Sequence, residues 1–347
     1  MKTLLLLNNA YWPSIGGVEN SLRHLAQVAR DRGCNVKIVA GDIGLANQSA
    51  FCTLEELDDI PIYRYRIKPL PFAGPLNFLV SMILQRKLLI NLRKMHPNAL
   101  VISRFHLSTL VAKYAGFRDI RYLVPGLAAI EYTSRMTRFG VWRTPLIWLK
   151  YLLHTVIQQR ALRKSAVYVF SKTMKEQCIA LAPDLSTSIL LTKPGVDEVR
   201  FSFNVNLDIE AKRRYLSLPP DKKLVLFVGR FVPAKGVDVL ISALTHLSND
   251  IDLVLVGEGE CEGDYRRQIV ALGLEDRVYI RGATRDVESY YESCDVFAMS
   301  SNYETFGQTI LEAMASGLPL VAFSTQAGVM TATEELGLDE FINYADR

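Results

Sequence analysis

Two glutamates, Glu304 and Glu312, lie in the stretch Ser301-Asn-Tyr-Glu-Thr-Phe-Gly-Gln-Thr-Ile-Leu-Glu-Ala313 with seven residues between them. Paired carboxylates work as acid and base, share a metal ion, or accept hydrogen bonds from hydroxyl groups. The stretch begins loop-like and turns apolar-periodic, which sets Glu304 before a helix and Glu312 inside it. At about 1.5 Å of rise per residue the two carboxylates are up to roughly 10 Å apart. That is too far to share one ion, and no histidine or third acid stands nearby, so no metal is expected. The separation is compatible with an inverting glycosidase pair. It fits two hydroxyl acceptors better, provided cations elsewhere hold phosphates between them. Glu312 as no more than a good helix former stays open. Thr305 reads as the cap of a helix beginning at Phe306-Gly307-Gln308, whose free N–H groups would face an anion.

The cations are found in Val228-Gly-Arg-Phe-Val-Pro-Ala-Lys-Gly236. Arg230 offers a planar fork and Lys235 a point charge, a combination suited to a diphosphate. Gly229 and Gly236 keep the backbone clear, although two solvated loop cations would look the same. A third stretch, Tyr11-Trp-Pro-Ser-Ile-Gly-Gly-Val-Glu-Asn20, brings Gly16 and Gly17 to the start of a helix. There the backbone can approach an anion closely. It is not G-x-G-x-x-G, which argues against an ordinary dinucleotide enzyme, and a plain tight turn is the simpler account. Asp250-Ile-Asp252 is an isolated D-x-D and marks a strand start.

The elements that must position these residues alternate. Strands are expected at 4–7, 36–40, 99–103, 121–124, 166–170 and 188–191. Helices are expected at 17–32, 77–95, 108–116, 146–164 and 172–182. Residues 204–222 are polar and end in Leu-Pro-Pro-Asp-Lys-Lys. A fresh alternation follows, with strands at 224–228, 253–256, 278–280, 296–299 and 319–323 and helices at 236–247, 264–272, 286–293 and 306–316. The pattern predicts an α/β fold of two Rossmann-like, doubly wound parallel sheets facing across a cleft, with ligands at the carboxyl ends of the strands. The expected boundaries are a first domain at 1–203, a linker at 204–221 and a second domain at 222–347.

At 347 residues the chain has room for two such domains. Its five cysteines, Cys34, Cys52, Cys178, Cys261 and Cys294, show neither metal nor disulfide spacing and read as reduced thiols of a cytoplasmic protein. The opening Met-Lys-Thr-Leu-Leu-Leu-Leu reads as a first buried strand, since its apolar run is too short for a secretion signal. Residues 60–175 carry 20 Lys/Arg against two acids, Asp119 and Glu131, a net of +18 that leaves −14 for the rest. So uneven a distribution points the first half at something anionic. No basic and aromatic nucleic-acid motif accompanies it. Within 146–164, apolar residues recur at 149, 152, 153, 156 and 157, with Lys150, His154 and Gln158 on another face. Nine bases and no acids lie between Thr133 and Lys175. This helix either lies on an anionic membrane surface or faces the core with a basic side exposed.

Taken in order, these motifs resemble those of the family 4 retaining glycosyltransferases of the GT-B architecture, the glycosyl transferases group 1, over nearly the whole chain. The resemblance rests on Gly16-Gly17, Pro194-Gly195-Val196-Asp197, Gly229-Arg230…Lys235-Gly236, Gly257-Glu258-Gly259 and Glu304…Glu312, with Phe306-Gly307 inside the last and Ala313-x-Ala315-x-Gly317-x-Pro319 after it. It implies that Arg230 and Lys235 bind the donor's diphosphate, Glu304 the transferred sugar and Glu312 the ribose. Backbone amides from Phe306 through Gly307 and Gln308 to Thr309 would contact sugar and phosphate, with Gly16 and Gly17 on the donor from the other side. It further implies transfer with retention, without metal or cofactor, from a nucleotide-diphosphate sugar to a hydroxyl of a glycan or lipid-linked acceptor. Envelope or extracellular polysaccharide synthesis, on the cytoplasmic side and peripheral to the membrane, is the setting. The alternatives are an epimerase or hydrolase of nucleotide sugars and a non-catalytic nucleotide-sugar-binding protein. Two departures stand out. Pro125 occupies the place of a family histidine; His106, after the 99–103 strand, is the acceptor-side candidate by topology, and an unremarkable loop histidine is the other reading. The chain ends at Arg347, soon after the 319–323 strand, so the family's final helices are not expected within it.

Overall fold

The computed structural model describes residues 2–14, 16–43, 54–68, 74–130, 140–337 and 340–345, with the backbone alone at 74–76 and 140–147. Cys52, Glu131 and the bases Arg135 and Arg138 lie outside the described residues. The chain divides into two compact units, Met1–Lys193 and Pro194–Arg347.

In the first unit the strands are β1 (Thr3–Leu7), β2 (Asn35–Gly41), β3 (Leu54–Leu57), β4 (Ile60–Tyr65), β5 (Leu100–Ser103), β6 (Ile120–Leu123), β7 (Ala166–Val169) and β8 (Ile189–Leu191). They form one sheet in the order β3-β4-β2-β1-β5-β6-β7-β8, parallel except for the antiparallel β3–β4 pair. The leucine run of β1 does not alternate with polar residues because both faces of the sheet are covered. Leu5 and Leu7 pack with Leu89, Leu92 and Val111, while Leu4 and Leu6 pack with Leu22 and Ala26 of the helix Gly17–Asp31. Burying each such side chain is worth about 1.5–3 kcal/mol, so this strand anchors the unit. The β3–β4 hairpin has no apolar alternation on its outer strand, Leu-Glu-Glu-Leu, which is why the sequence pattern does not announce it.

The second unit has β9 (Lys223–Val228), β10 (Ile251–Val256), β11 (Val278–Arg281), β12 (Val296–Met299), β13 (Tyr303–Glu304), β14 (Leu320–Phe323), β15 (Met330–Thr331) and β16 (Ile342–Ala345). Six of them make a wholly parallel sheet, β11-β10-β9-β12-β14-β16, and β13 pairs with β15 beside it. Leu224 and Leu226 face one core with Tyr291, Ile310 and Ala313; Phe227 faces the other with Ile241, Tyr265 and Ile269.

The division at Lys193/Pro194 falls ten residues before the expected end of the first domain at 203, and 204–221 is not a free linker. It holds a helix, Ile209–Tyr215, capped by the Asp208 side chain. Arg213 of that helix is buried and donates to the carbonyls of Ser293 (2.8 Å), Pro220 (3.1 Å) and Lys222 (2.9 Å) and to Asp295 (2.9 Å). Polar composition suggested a linker, but one buried guanidinium tethers the segment to the second sheet.

The helix Gly140–Arg163 begins earlier than the expected 146–164, and it faces the core through Ile157, Ala161 and Leu162 rather than through the 149–156 stripe. Gln158 is fully buried, and its amide donates to Tyr122 Oη (3.1 Å) and the Gly126 carbonyl (2.8 Å) while accepting from Ala128 N (2.9 Å). Leu149, Leu152, Leu153 and Val156 are exposed. Of the apolar positions singled out from the sequence, only Ile157 turns inward. Among the described residues no helix is long and apolar enough to cross a membrane.

Candidate functional site

Strand order reverses at β9, which has β10 on one side and β12 on the other. Such a switch point opens a crevice at the carboxyl ends of the two diverging strands. The loops that leave β9 and β12 are residues 229–236 and 300–307, and they are laced together. Ser300 Oγ donates to the Lys235 carbonyl (2.8 Å) and Asn302 N to the Ala234 carbonyl (2.9 Å). Gly236 is required here: its φ is +60° and a Cβ would run into the Ser300 carbonyl oxygen. On the other flank Ala332 N donates to the Glu304 carbonyl (3.0 Å), fixing β13 against β15.

This lacing brings Lys235 and Glu304, distant in sequence, into a direct ion pair between Lys235 Nζ and Glu304 Oε2, with side chains only 21% and 12% exposed. Burial pushes the Glu304 carboxyl up. The Lys235 ammonium and the backbone N–H groups of Phe306 and Gly307, which donate to it, outweigh that and hold it below its usual range. Glu304 is therefore an ionised acceptor at neutral pH.

Two details differ from the sequence reading. The helix begins at Gln308, not Phe306, and its cap is Gly307 rather than Thr305. Gly307 has φ +88°, and no side chain caps the turn. A left-handed glycine turns the chain into the helix where a threonine cap was expected. The amides of Phe306 and Gly307 serve Glu304, so the orphan amides of the first helical turn belong to Gln308 and Thr309. The Gln308 side chain donates to the Gly195 carbonyl at 2.9 Å, tying in the Pro194-Gly195 stretch.

Glu312 sits one turn further along and is 5% exposed. Burial raises its carboxyl to about 7, although Tyr291 Oη donates to Oε2 at 2.9 Å and Arg200 lies near enough to lower it. It is the opposite of Glu304: a buried acid with a hydroxyl for a partner instead of a cation. Arg230 is exposed and makes no ion pair among the described residues. The Gly257-Glu258-Gly259 loop leans on its neighbour, since Phe231 N donates to the Glu258 carbonyl (2.8 Å). Asp252 opens β10 and is buried beside Tyr279 Oη (3.3 Å). Among the described residues no three of His, Cys, Asp and Glu cluster as metal ligands. Cys34, Cys178, Cys261 and Cys294 form no disulfide.

The first unit has its own switch point at β1, between β2 and β5. Gly16 and Gly17 follow β1, and Gly16 precedes the helix Gly17–Asp31 with no side-chain cap. The chain's own anion stands over this turn: a Cβ on Gly16 would meet the Glu19 carboxylate. Asn8 Nδ2 reaches the same carboxylate at 3.4 Å. His106 is buried after β5, with Nε2 2.8 Å from His154 Nδ1. Burial first, and His154 second, lower it to about 3, so it is neutral. Pro125 follows β6 and brings no titratable group.

Sequence reasoning missed Arg104. It is 6% exposed at the end of β5, donates to Ser21 Oγ (2.8 Å), lies over the Phe170 ring (5.2 Å) and has no ion pair within 4.0 Å among the described residues. Burial lowers it to about 10. Its signal was positional: like Arg230, it is a cation next to the end of an apolar strand.

Residues 208–335 match the family described as glycosyl transferases group 1. A D-inositol 3-phosphate glycosyltransferase from Xylanimonas cellulosilytica is 38% identical over 143 residues, 39% of this chain and 34% of that protein. The lipopolysaccharide core biosynthesis glycosyltransferase LpsE of Rhizobium meliloti is 36% identical over 114 residues, 33% of each chain. The chain thus spans about a third of the length of these curated relatives. Among solved structures, sucrose-phosphate synthase from Thermosynechococcus elongatus superposes with a TM-score of 0.74 at 19% identity, covering 93% of this chain and 82% of that one. Anabaena HepE in complex with UDP and glucose gives 0.73 at 23% identity, covering 99% and 86%. These likenesses show the fold: both units have the Rossmann-like build of GT-B proteins.

Proposed function

From a second unit that belongs to the glycosyl transferases group 1, we propose that the protein is a family 4 retaining glycosyltransferase. In this reading it moves a sugar from a nucleotide-diphosphate sugar to a hydroxyl of a glycan or lipid-linked acceptor. The observation that carries the proposal is the Lys235–Glu304 pair at the switch point of the second sheet. A lysine ammonium has three N–H donors; one is used on Glu304, which leaves others for a phosphate. The ionised Glu304 is an acceptor for a sugar hydroxyl. Arg230, solvent-facing and without an ion pair among the described residues, adds a bidentate fork to the diphosphate, and the amides of Gln308 and Thr309 add the positive end of the helix. Glu312 takes the ribose hydroxyls in exchange for its bond to Tyr291. In the first unit Gly16 and Gly17 stay donor-binding candidates and His106 the acceptor-side candidate.

As the bond from the sugar's anomeric carbon to the diphosphate breaks, negative charge grows on the leaving phosphate oxygen. Fixed donors aimed there stabilise the transition state more than the ground state. The same phosphate takes the proton of the acceptor hydroxyl as the new glycosidic bond forms on the same face. No carboxylate nucleophile, metal or cofactor is invoked. The HepE neighbour, solved with UDP and glucose, supports a nucleotide-sugar donor, and the LpsE relative supports a role in envelope polysaccharide synthesis. That setting implies the cytoplasmic side and an anionic membrane surface as the first unit's partner.

The test is a panel of nucleotide sugars. The true donor raises the thermal midpoint, and product analysis with EDTA present then shows a sugar joined to an acceptor. Isomerised sugar, free sugar alone, or binding without turnover would each replace this reading.

A further inference from the structure

Two helices of the first unit bury a polar residue beside their core-facing apolar ones, Gln158 beside Ile157, Ala161 and Leu162, and Gln85 beside Leu89 and Leu92, and leave a second apolar face outside. On Gly140–Arg163 the inward polar contacts are Gln158, with three hydrogen bonds, and His154, which meets His106. They fix the helix's rotation: turning the leucines inward would strip a fully buried amide of its partners and leave those groups unsatisfied. The face left outside carries Trp148 (52% exposed), Leu149 (63%), Leu152 (37%), Leu153 (44%) and Val156 (41%). These positions recur at i, i+1, i+4, i+5 and i+8, a continuous stripe on a helix. Lys150 is exposed beside it, and Arg160 and Lys164 are exposed towards its end. The helix Gly74–Met95 repeats the arrangement. Gln85 is buried and donates to Ser108 Oγ (2.7 Å), while Leu79 (56%), Ile83 (53%), Arg86 and Lys87 face out. The two helices adjoin where the Phe78 ring meets His154 edge-on, with centroids 6.2 Å apart.

We propose that this outward face, built on 148–156 and extended by Leu79 and Ile83, docks on an anionic lipid bilayer. The inference rests on the glycosyltransferase reading only for its purpose, bringing the first unit to a lipid-linked acceptor. Charge selects the occupant. Residues 60–175 carry a net of +18, so a second copy of the chain would bring like charge against like, whereas anionic headgroups complement it. An apolar stripe with tryptophan and flanking bases seats a helix in the plane of the interface.

The experiment is co-sedimentation of the full chain with vesicles of phosphatidylcholine alone or mixed with phosphatidylglycerol. Binding is expected only to the mixed vesicles, reduced by salt yet not abolished, because the apolar contact survives screening. Leu149→Asp with Leu153→Asp is expected to weaken it tenfold or more, since each change removes an apolar side chain from the interface and sets a like charge against anionic headgroups. Both positions are exposed, so the double variant is expected to keep its circular dichroism and its thermal midpoint. Lys150→Glu is expected to cost a few-fold at low salt. Equal sedimentation of wild type and double variant overturns the proposal. So does a wild-type dimer in light scattering that the double variant abolishes, which would assign the face to a second copy. Thermal shifts with UDP, GDP and ADP report on the second unit alone. Loss of vesicle binding with intact nucleotide shifts indicts the docking face, and the converse indicts the donor site.

Discussion

Three cations near the second sheet are matched with acids, Lys235 with Glu304, Arg213 with Asp295 and Arg200 with Glu288, while Arg230 faces solvent. In the first unit Arg64, Arg23 and Arg163 are matched as well, with Glu55, Asp58 and Asp184, but Arg104 is buried against a hydroxyl and an aromatic ring, and Lys150, Arg160, Arg86 and Lys87 beside the outward apolar face are exposed. The difference follows the charge ledger, +18 in 60–175 against −14 elsewhere. An acid-matched cation is held in one geometry, which is what stabilising a developing charge requires. An unmatched surface cation is mobile and screened by salt, which suits attraction to an extended anionic surface. The Lys235–Glu304 site of the second unit positions charge, and the outward helical face of the first presents it.

The largest expected effect breaks the matched side. Lys235→Ala and Glu304→Gln should each lower turnover by about 100- to 1000-fold, the usual cost of removing a preorganised group at a developing charge. Neither should change vesicle binding. Near-normal turnover in either variant removes the pair from the site, and a parallel loss of vesicle binding would mean that the two units do not divide the work.

The matched side was also the more legible one. Alternating apolar runs and glycine-flanked loops pointed to both sheets, and Arg230, Lys235, Glu304 and Glu312 came from strand-end position and spacing. That Lys235 would meet Glu304 was not readable, because the Ser300 and Asn302 hydrogen bonds that join their loops are long-range. Gly307 displaced Thr305 as the cap because a left-handed turn leaves no trace in composition. The helix Ile209–Tyr215 was hidden for a similar reason: a polar, proline-bounded stretch looks like a linker until Arg213 is seen buried. In the first unit, helical periodicity found the stripe 149–156 but could not tell which face turned inward. Gln158 decided that through partners on other elements, Tyr122, Gly126 and Ala128.

The next effect compares the two glycine loops. Gly236→Ala forces a Cβ toward the Ser300 carbonyl at positive φ, a conformation that costs about 1–3 kcal/mol outside glycine. It should lower the thermal midpoint by several degrees and reduce turnover by separating Lys235 from Glu304. Gly17→Ala meets nothing within 4 Å and should leave the midpoint unchanged within a degree or two. Equal losses from both would show that the lacing around Gly236 is not what sets the second unit apart.

The smallest effect sharpens the comparison through pH, because the buried titratable groups of the two units have opposite signs. His106 in the first unit is lowered from 6.5 to about 3 by burial and by His154. Its folded form refuses a proton that the unfolded chain accepts below 6.5, so the stability it contributes is present above 6.5 and lost as pH falls. His96, also lowered by burial, acts in the same direction. Glu312 in the second unit is raised from 4.5 to about 7. Its folded form keeps a proton that the unfolded chain releases above 4.5, so stability falls as pH rises from 4.5 through 7. Asp252, raised by burial, adds to that. Glu304, held low by Lys235, changes only below its usual range and stays outside this window. Moving from pH 7.5 to 5.5 should therefore cost the first unit about 1 kcal/mol and return about 1–2 kcal/mol to the second. Hydrogen exchange of the slowest amides in β1 and β5 against those in β9 and β12 measures the two separately. Glu312→Gln should remove most of the second unit's gain and raise its stability at pH 7.5, while weakening nucleotide binding. If both units shift in the same direction, or if Glu312→Gln leaves the second unit's pH response intact, the contrast between a cation-matched Glu304 and an unmatched Glu312 is not what tunes this unit.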